Sequence, residues 1–261
     1  MSICIAIAVP DGIALAADSQ ITWTETITKA KDKATNIEFE LAEPIKRPVG
    51  WSKMARKLFN IEIDNKSYAI LWAGAASVNN KSNYSIFKSL EKRCELKNPT
   101  MNNLANYFVE GFKAEFKEQF GKDDLKTCPT IYIDFIICGF DNNDVAKPII
   151  QKHRLFSGII NNNGKDYDSG HILMADLNGA HGGTWIGKTE FITHIVKHEN
   201  KQLPAISGQF HMMSLSDAID YTKFLVEYTC DFQRFAITVP DCARPIVSAS
   251  LTPEGYTEQI I

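Results

Sequence analysis

Residues 2–20, SICIAIAVPDGIALAADSQ, contain two apolar segments joined by a turn. Ile3 to Val9 is an unbroken run of apolar and small residues, Pro10-Asp11-Gly12 is a turn signal, and Ile13 to Ala17 resumes the apolar pattern. This pattern predicts a pair of buried strands, the first of which starts at residue 3. Ordering a terminus costs backbone entropy, so most domains leave their first residues loose. We therefore expect the start of this chain to be held in place for a purpose.

The composition excludes several classes of protein. The chain has 261 residues and a formal net charge of −3, with Lys and Arg scattered, so it shows no electrostatic footprint for nucleic acid or anionic lipid. Asp11 and Asp18 interrupt the apolar start, which fits neither a signal peptide nor a membrane span. Six cysteines lie far apart without a CxxC pair, which favours buried thiols over zinc or disulfides. We expect a cytoplasmic globular protein with no cofactor, metal, nucleic-acid or membrane partner.

Strand patterns surround a polar segment in the first third of the chain. Residues 21–50 are rich in Thr and Lys, have weak periodicity and contain Pro44 and Pro48, which indicates an insertion. Alternation returns in KLFNIEI, residues 57–63, and a second apolar run covers residues 68–77. The turn residues between these two runs predict a hairpin.

Two pairs of helices are predicted, with strands between them and after them. The strands between the pairs fall within residues 131–177, and the closing strands follow residue 243. A third helix is expected from near Lys188, and the last helix has Ser214 and Asp217 as a capping pair. The second helix carries an apolar stripe at every fourth position, typical of a helix facing a core: Leu104, Phe108, Phe112, Phe116 and Phe120.

This block order, with no βαβ alternation and no repeat, predicts an α+β fold in which two antiparallel sheets pack together with helix pairs outside, a four-layer αββα sandwich. No linker divides the chain. We predict one domain over residues 1–261 with an insertion at 21–50.

The start of the chain can carry chemistry if the initiator methionine is removed. A small residue after Met1 generally permits this removal, which leaves Ser2 with a free α-amino group. That amine has an ordinary pKa of about 8, so one residue supplies both a hydroxyl nucleophile and the base that activates it. A strand that begins at Ile3 would hold such a nucleophile rigidly.

Several stretches, taken in order, resemble the proteasome β-subunit family and its bacterial relatives, the HslV peptidase and the proteasome-like Anbu proteins. The stretches are SICIAIAVPDGIALAADSQ, KLFNI with the strand ending AGAAS, DFIICGFD, MSLSDAIDYTKFL and VSASLTPEG. In that family the mature chain starts with a nucleophile, usually Thr, and a strand-turn-strand leads to an Asp. The resemblance implies an N-terminal nucleophile (Ntn) hydrolase that cleaves peptide amide bonds through an acyl-enzyme. It also implies assembly of identical subunits into a ring or spiral, and a peptide or unfolded polypeptide as substrate.

The resemblance also implies roles for individual residues. Ser2 matches the nucleophile, Asp18 the Asp that holds the catalytic lysine, and Lys57, at the start of KLFNI, that lysine. Gly74 matches the glycine whose N–H faces the oxyanion, and Trp72 falls where the family shapes the pocket for the substrate residue before the cleaved bond.

The late Asp that completes the site in the family is Asp231, or alternatively Asp241. Three departures from the family stand out. The nucleophile is Ser rather than Thr, the segment between Asp18 and Lys57 is longer, and Gly187-Lys188-Thr189 stands where the family has Gly-Ser-Gly.

Two alternative functions remain open from the sequence. One is a catalytically inactive assembly protein with the same fold. The other is a nucleotide binder, because GGTWIGKT, residues 182–189, satisfies the G-x-x-x-x-G-K-[ST] pattern of a phosphate-binding loop. Too little chain follows it for a parallel βαβ sheet, so a tight turn into a helix is the preferred interpretation. The six histidines are expected at the surface.

Overall fold

The computed structural model describes residues 2–32, 35–140, 147–162, 165–197, 209–235 and 242–260. In these ranges the chain forms strands and four α-helices. The strands are β1 (Ile3–Val9), β2 (Gly12–Asp18), β3 (Ile21–Lys31), β4 (Glu38–Ser52), β5 (Leu58–Ile63), β6 (Lys66–Gly74), β7 (Ser77–Val78), β8 (Lys81–Ser82), β9 (Tyr132–Phe140), β10 (Pro148–Asn162), β11 (Lys165–Asn178), β12 (Gly182–Gly187), β13 (Ile246–Thr252) and β14 (Gly255–Ile260). The helices are α1 (Asn83–Arg93), α2 (Met101–Phe120), α3 (Glu190–Lys197) and α4 (Leu215–Arg234).

Two five-stranded sheets form the body of the protein. The first has the order β12-β1-β2-β13-β14 and the second β11-β10-β9-β6-β5. Every pairing within both sheets is antiparallel. The predicted mixed fold with antiparallel sheets is therefore confirmed, as are the early strand pair and the hairpin after residue 57. The turn of that hairpin has Asp64 and Asn65 at φ 52° and 62°, which suits a tight two-residue connection.

The two sheets share a core of small and aliphatic side chains, which we call the inter-sheet core. It draws on β1, β2 and β13 of the first sheet and on β5, β6, β9 and β10 of the second. Successive side chains of a strand point to opposite faces, so only alternate residues of β1 enter this core. Those residues are Cys4, Ala6 and Ala8, and their small size allows the sheets to approach closely.

Each helix pair packs with one sheet, away from the inter-sheet core. The aromatic stripe of α2 is buried with α1 and residues of the second sheet, as predicted, with Phe120 at its edge. The alternate residues Ile3, Ile5 and Ile7 of β1 are buried with side chains of α3 and α4. Ser214 caps α4 as predicted, because its side chain accepts a hydrogen bond from Asp217 N. None of the helices in the described ranges is both long and apolar enough to cross a membrane.

The polar segment after Asp18 is more ordered than its sequence suggested. Strands β3 and β4 form a separate two-stranded sheet over residues 21–52, which we call the arm. Weak periodicity concealed these strands, yet the segment is rich in Thr, Ile and Trp, which favour extended backbone. Irregular pairing between Trp23 and Thr24 and between Ile27 and Lys29 explains why no clean alternation is visible.

Candidate active site

The β1–β2 hairpin places the Asp18 carboxylate beside the backbone that follows Ser2. Ile3 N–H donates a 2.8 Å hydrogen bond to Asp18 Oδ1, and Gln20 N–H donates a 3.0 Å bond to Oδ2. Ser2 and Asp18 are both buried. A carboxylate held at both oxygens by backbone donors has little freedom to move. The hairpin thus fixes one charged group at a defined position next to the predicted nucleophile.

Lys57, the residue before β5, completes this group. Its Nζ lies 2.9 Å from each carboxylate oxygen of Asp18 and also donates to the backbone oxygen of Gln20. Neither side chain of the ion pair is exposed to solvent. Burying two charges costs several kcal/mol unless hydrogen bonds satisfy them, and here three acceptors receive the three N–H groups of the ammonium. The structure therefore brings Asp18 and Lys57 together beside the residue that follows Ser2.

Cys4, two residues after Ser2, lies on the face of β1 that points into the inter-sheet core. The Cys4 thiol donates to the Trp72 backbone oxygen at 3.2 Å. Burial raises the pKa of this thiol, and the charges of Lys57 and Asp18 act on it as well. The Cys4 thiol itself is held in its neutral form.

The turn after β12 contacts the backbone of Ser2 directly. Lys188 N–H donates a 2.7 Å hydrogen bond to the backbone carbonyl oxygen of Ser2, and Ile3 is the strand partner of Gly187. Gly187 has φ +94°, and a Cβ at this position would overlap the backbone carbonyl oxygen of Ser2. Only glycine permits this approach. The Gly187-Lys188-Thr189 segment thus stands at the predicted nucleophile, although it departs from the family sequence.

Gly74 and Trp72 lie near the end of β6. Gly74 has φ +102°, and a Cβ there would come within 2.6 Å of the Tyr132 oxygen. Trp72 N–H donates to the Lys57 oxygen at 3.0 Å, which joins this strand to the lysine. The Trp72 indole packs in the core shared with α1 and α2, and its Nε1 donates to the Arg56 oxygen at 2.9 Å. Trp72 therefore supports the Lys57 main chain.

Asp231 does not join the Asp18–Lys57 pair. It forms ion pairs of 3.2 Å with Arg244 and 3.6 Å with Arg234. It also lines a cavity of about 510 Å³ together with Gln20 and Cys242. Cys242 is close to the ion pair, since the charges of Asp18 and Lys57 act on its thiol; a hydrogen bond with Cys230 and burial raise the pKa of that thiol. The alternative Asp241 lies outside the described residues.

Two further expectations meet the structure here. The GGTWIG part of the nucleotide-binding pattern is strand β12, which pairs with β1 over its whole length and leads into α3. It is an extended strand rather than a loop that encloses phosphate. The surface prediction for the histidines is wrong for His153, which is buried and lies 2.8 Å from His171 between their ring nitrogens. Sequence reasoning also missed the Gln20 carbonyl as a partner of Lys57, because a backbone acceptor has no sequence signal.

Comparisons with known proteins identify the fold. No protein-family model and no curated protein matches the sequence. Three solved structures of Anbu proteins are similar. One is a Gly-1 mutant from Hyphomicrobium sp. strain MC1, with a TM-score of 0.54 at 12% identity, covering 100% of this chain and 87% of that chain. The second is a helical assembly of the Anbu complex from Pseudomonas aeruginosa, with a TM-score of 0.54 at 11% identity, covering 99% of this chain and 86% of that chain. The third, from Yersinia bercovieri and described as an ancestral beta-subunit, has a TM-score of 0.51 at 12% identity, covering 98% of this chain and 86% of that chain. The chain therefore has a fold similar to that of the proteasome-like Anbu proteins.

Proposed function

We propose that the protein is an N-terminal-nucleophile hydrolase of proteasome type that cleaves peptide amide bonds with Ser2. The observation that carries the proposal is the buried Asp18–Lys57 ion pair, hydrogen-bonded to the backbone N–H of the residue that follows Ser2. A buried charge pair is expensive, and hydrophobic residues of similar size often serve stability as well. Its position against the backbone that follows Ser2 favours a catalytic purpose.

The proposed reaction starts after Met1 has been removed. The Ser2 α-amine accepts the hydroxyl proton as Oγ attacks the substrate carbonyl carbon. The carbon–nitrogen bond then breaks, the leaving amine takes up the proton, and an ester to Ser2 remains. Water then attacks the ester carbonyl carbon with the same amine as base, the bond between that carbon and Oγ breaks, Oγ takes up the proton, and the acid product leaves. The ammonium of Lys57 stabilises negative charge that develops on Oγ, while Asp18 fixes its position.

We assign the remaining residues by the same resemblance. Gly74 N–H is the proposed donor to the oxyanion, a role that requires close approach of the backbone. Trp72 is proposed to shape the pocket for the substrate residue before the cleaved bond. Asp231 or Asp241 is the proposed late supporting acid. The sheets and helix pairs would form the four-layer αββα sandwich of this family, with residues 1–261 as one domain.

The likeness to Anbu structures supports the fold on which this proposal depends. By analogy with the helical assembly of the Pseudomonas aeruginosa protein, we propose that identical subunits assemble into a ring or spiral. A peptide or an unfolded polypeptide is the proposed substrate, and the cytoplasm the proposed location. The second candidate is an inactive assembly protein with the same fold. It is favoured if Met1 is retained, because the amine is then no longer available as a base.

Intact mass spectrometry tests the proposal directly. We expect the purified wild type to lack Met1 and to gain one equivalent of an electrophilic peptide inhibitor. Ser2→Ala should gain none. Ser19→Ala, which removes the hydroxyl of the buried serine next to Asp18, should be labelled like the wild type. Persistent labelling of Ser2→Ala would exclude the mechanism. Retained Met1 in an unlabelled wild type would favour the inactive assembly protein.

A further inference from the structure

The cavity of about 510 Å³ that Asp231 lines, which we call the side cavity, has a buried floor and an open rim. Its floor consists of Gln20, Cys230 and Cys242, which are all buried. Trp51, at the root of the arm, lines the side cavity as well. Pockets that bind small ligands commonly enclose roughly 300–1,000 Å³. The side cavity therefore has room for an amino-acid side chain or for the end of a peptide.

The floor of the side cavity adjoins the proposed active site. Gln20 N–H donates to Asp18 Oδ2 at 3.0 Å, and the Gln20 carbonyl accepts a hydrogen bond from Lys57 Nζ. The charges of Asp18 and Lys57 also act on the Cys242 thiol. Ile3 N and Gln20 N bind the two oxygens of one carboxylate, so these nitrogens lie within about 8 Å of each other. Because an extended peptide advances about 3.3 Å per residue, a substrate residue about two to four places from the cleaved bond can reach the side cavity.

The rim of the side cavity carries positive charge from three separate elements. Lys53 follows β4, Arg234 is the last residue of α4, and Arg244 lies just before β13. Within the described ranges, Asp231 is the only acidic residue that lines the side cavity. Arg244 is already paired within the protein, because it lies 3.2 Å from Asp231 and 3.3 Å from Glu227. Three cations against one lining carboxylate leave the side cavity with an excess of positive charge.

The other two cations are available to a ligand. Arg234 approaches Asp231 only to 3.6 Å, which is too long for a hydrogen bond. Lys53 Nζ lies 5.4 Å from the centroid of the Trp51 ring, and Lys53 forms no ion pair with any residue that the structure describes. Exposed cations are ordinarily solvated, but here two elements bring an ammonium and a guanidinium to one concave site. Their N–H groups can therefore bind an acceptor that enters the side cavity.

We propose that the side cavity is a subsite for a substrate carboxylate, bound by Lys53 and Arg234, a few residues from the cleaved bond. This inference rests on the proposed hydrolase, whose Ser2 would cleave the bound peptide. Hydrogen bonds between such cations and a carboxylate are about twice as strong as those between neutral groups. The residue before the cleaved bond is assigned to the pocket of Trp72, so the side cavity is a separate subsite. The carboxylate comes from an acidic side chain or from the end of the peptide.

Peptide selection tests this subsite without any turnover. Two randomised libraries of N-acetylated heptapeptides, one ending in a carboxamide and one in a free carboxylate, are offered to the full chain with Ser2→Ala, and retained peptides are sequenced by mass spectrometry. We expect peptides with a carboxylate to be retained. Enrichment of Asp and Glu over Asn and Gln in the carboxamide library would assign the subsite to an acidic side chain. Retention that requires the free carboxylate would assign it to the chain end. Retention regardless of carboxylates, or of no peptide at all, would overturn the proposal.

Calorimetric titration of the selected peptide then locates its carboxylate. Lys53→Gln and Arg234→Gln, each added to Ser2→Ala, should raise its Kd by about tenfold, because each removes a charged hydrogen-bond donor. Lys122→Gln is the control, since it removes an exposed cation after α2, outside the side cavity. It should bind the peptide like the parent. The uncharged isostere of the peptide, with an amide in place of the carboxylate, should bind all four proteins equally.

The affinity for the charged peptide should also fall as salt is added, because mobile ions screen an exposed charge pair. Equal loss of the charged peptide and its isostere in Lys53→Gln would mean a structural effect and would overturn the assignment. The labelling test of Ser2 is separate. A labelled wild type without carboxylate selectivity would keep the hydrolase and overturn the subsite. Carboxylate binding through Lys53 by a protein whose Ser2 is never labelled would support the carboxylate site and overturn the hydrolase.

Discussion

Lys57 Nζ lies 2.9 Å from both carboxylate oxygens of Asp18, although the two residues are 39 positions apart in the chain. The whole arm is inserted between them, and it leaves the body at Ile21 and returns at Ser52. The pair survives this insertion because each member is held on the body side: Asp18 by β2, and Lys57 by the start of β5. The body, and not the arm, therefore positions the two charges.

Replacing Lys57 separates its catalytic effect from its structural effect. Lys57→Met leaves the Asp18 carboxylate buried without its cation, so we expect the free energy of unfolding to fall by about 3–5 kcal/mol. Labelling of Ser2 by the electrophilic inhibitor should also be lost. Chemical denaturation gives the first quantity and intact mass the second.

The double variant Asp18→Asn/Lys57→Met provides the control. It removes both charges, so much of the lost stability should return, while labelling stays absent because no cation is left beside Ser2. Restored labelling in this variant would show that the pair only stabilises the fold. Ser2 would then react without the proposed help of Lys57.

Gly187→Ala tests whether the turn after β12 holds Ser2. The added methyl group would overlap the Ser2 oxygen, so the terminus must shift and labelling should slow by at least about tenfold, the effect expected when a nucleophile is misplaced. Gly121→Ala is the matched control, because Gly121 also has a positive φ but nothing lies within 4 Å of its added Cβ. It should lose about 1 kcal/mol of stability and keep normal labelling. Equal labelling rates in the two variants would contradict this role of the turn.

The sequence predicted the elements whose signals are local. Residues close together in the sequence were enough to predict three of them. These are the cap formed by Ser214 and Asp217, the stripe that includes Phe108 and Phe112, and the apolar strands before and after Pro10. The arm was missed because bulges break the alternation of its strands. The surface prediction for His153 was wrong because its burial depends on Phe135 from a neighbouring strand. The centroids of the two stacked rings are 4.9 Å apart.

The site shows the same division between local and distant information. Asp18 and Lys57 were paired only through the resemblance, because the long segment between them makes their spacing uninformative. Neither the Gln20 carbonyl nor the contact between Gly187 and Ser2 has a residue-type signal. Both arise when the two sheets and their turns meet, which depends on the whole fold.

Two substitutions can decide which late acidic residue, Asp231 or Asp241, supports Ser2. Asp231 is partly exposed and pairs with Arg244 and Arg234, so its ion pairs contribute at most about 1 kcal/mol to stability. Asp231→Asn should therefore leave folding intact. If Asp231 supports Ser2, its inhibitor labelling should slow while that of Asp241→Asn is unchanged. The opposite result would assign the supporting role to Asp241, and two unaffected variants would remove both from the mechanism.

Acid sensitivity should arise at His153, far along the chain from the predicted nucleophile. Burial, together with the neighbouring His171, lowers the pKa of His153 to about 3, whereas an unfolded histidine has a pKa of about 6.5. Between these values the unfolded chain binds a proton that the folded chain does not. The free energy of unfolding should therefore fall as the pH drops from about 6.5 towards 3, by up to about 1.4 kcal/mol per pH unit.

His153→Phe keeps a flat ring against Phe135 and cannot titrate, so denaturation measured at several pH values should show a shallower decline. His211→Phe replaces an exposed histidine and should retain the wild-type slope. Burial and the charge of Lys113 lower the pKa of His171 in the same direction, so a part of the decline should persist in His153→Phe. Identical slopes for His153→Phe and the wild type would mean that His153 is not held neutral by the fold, and that the acid sensitivity comes from other groups.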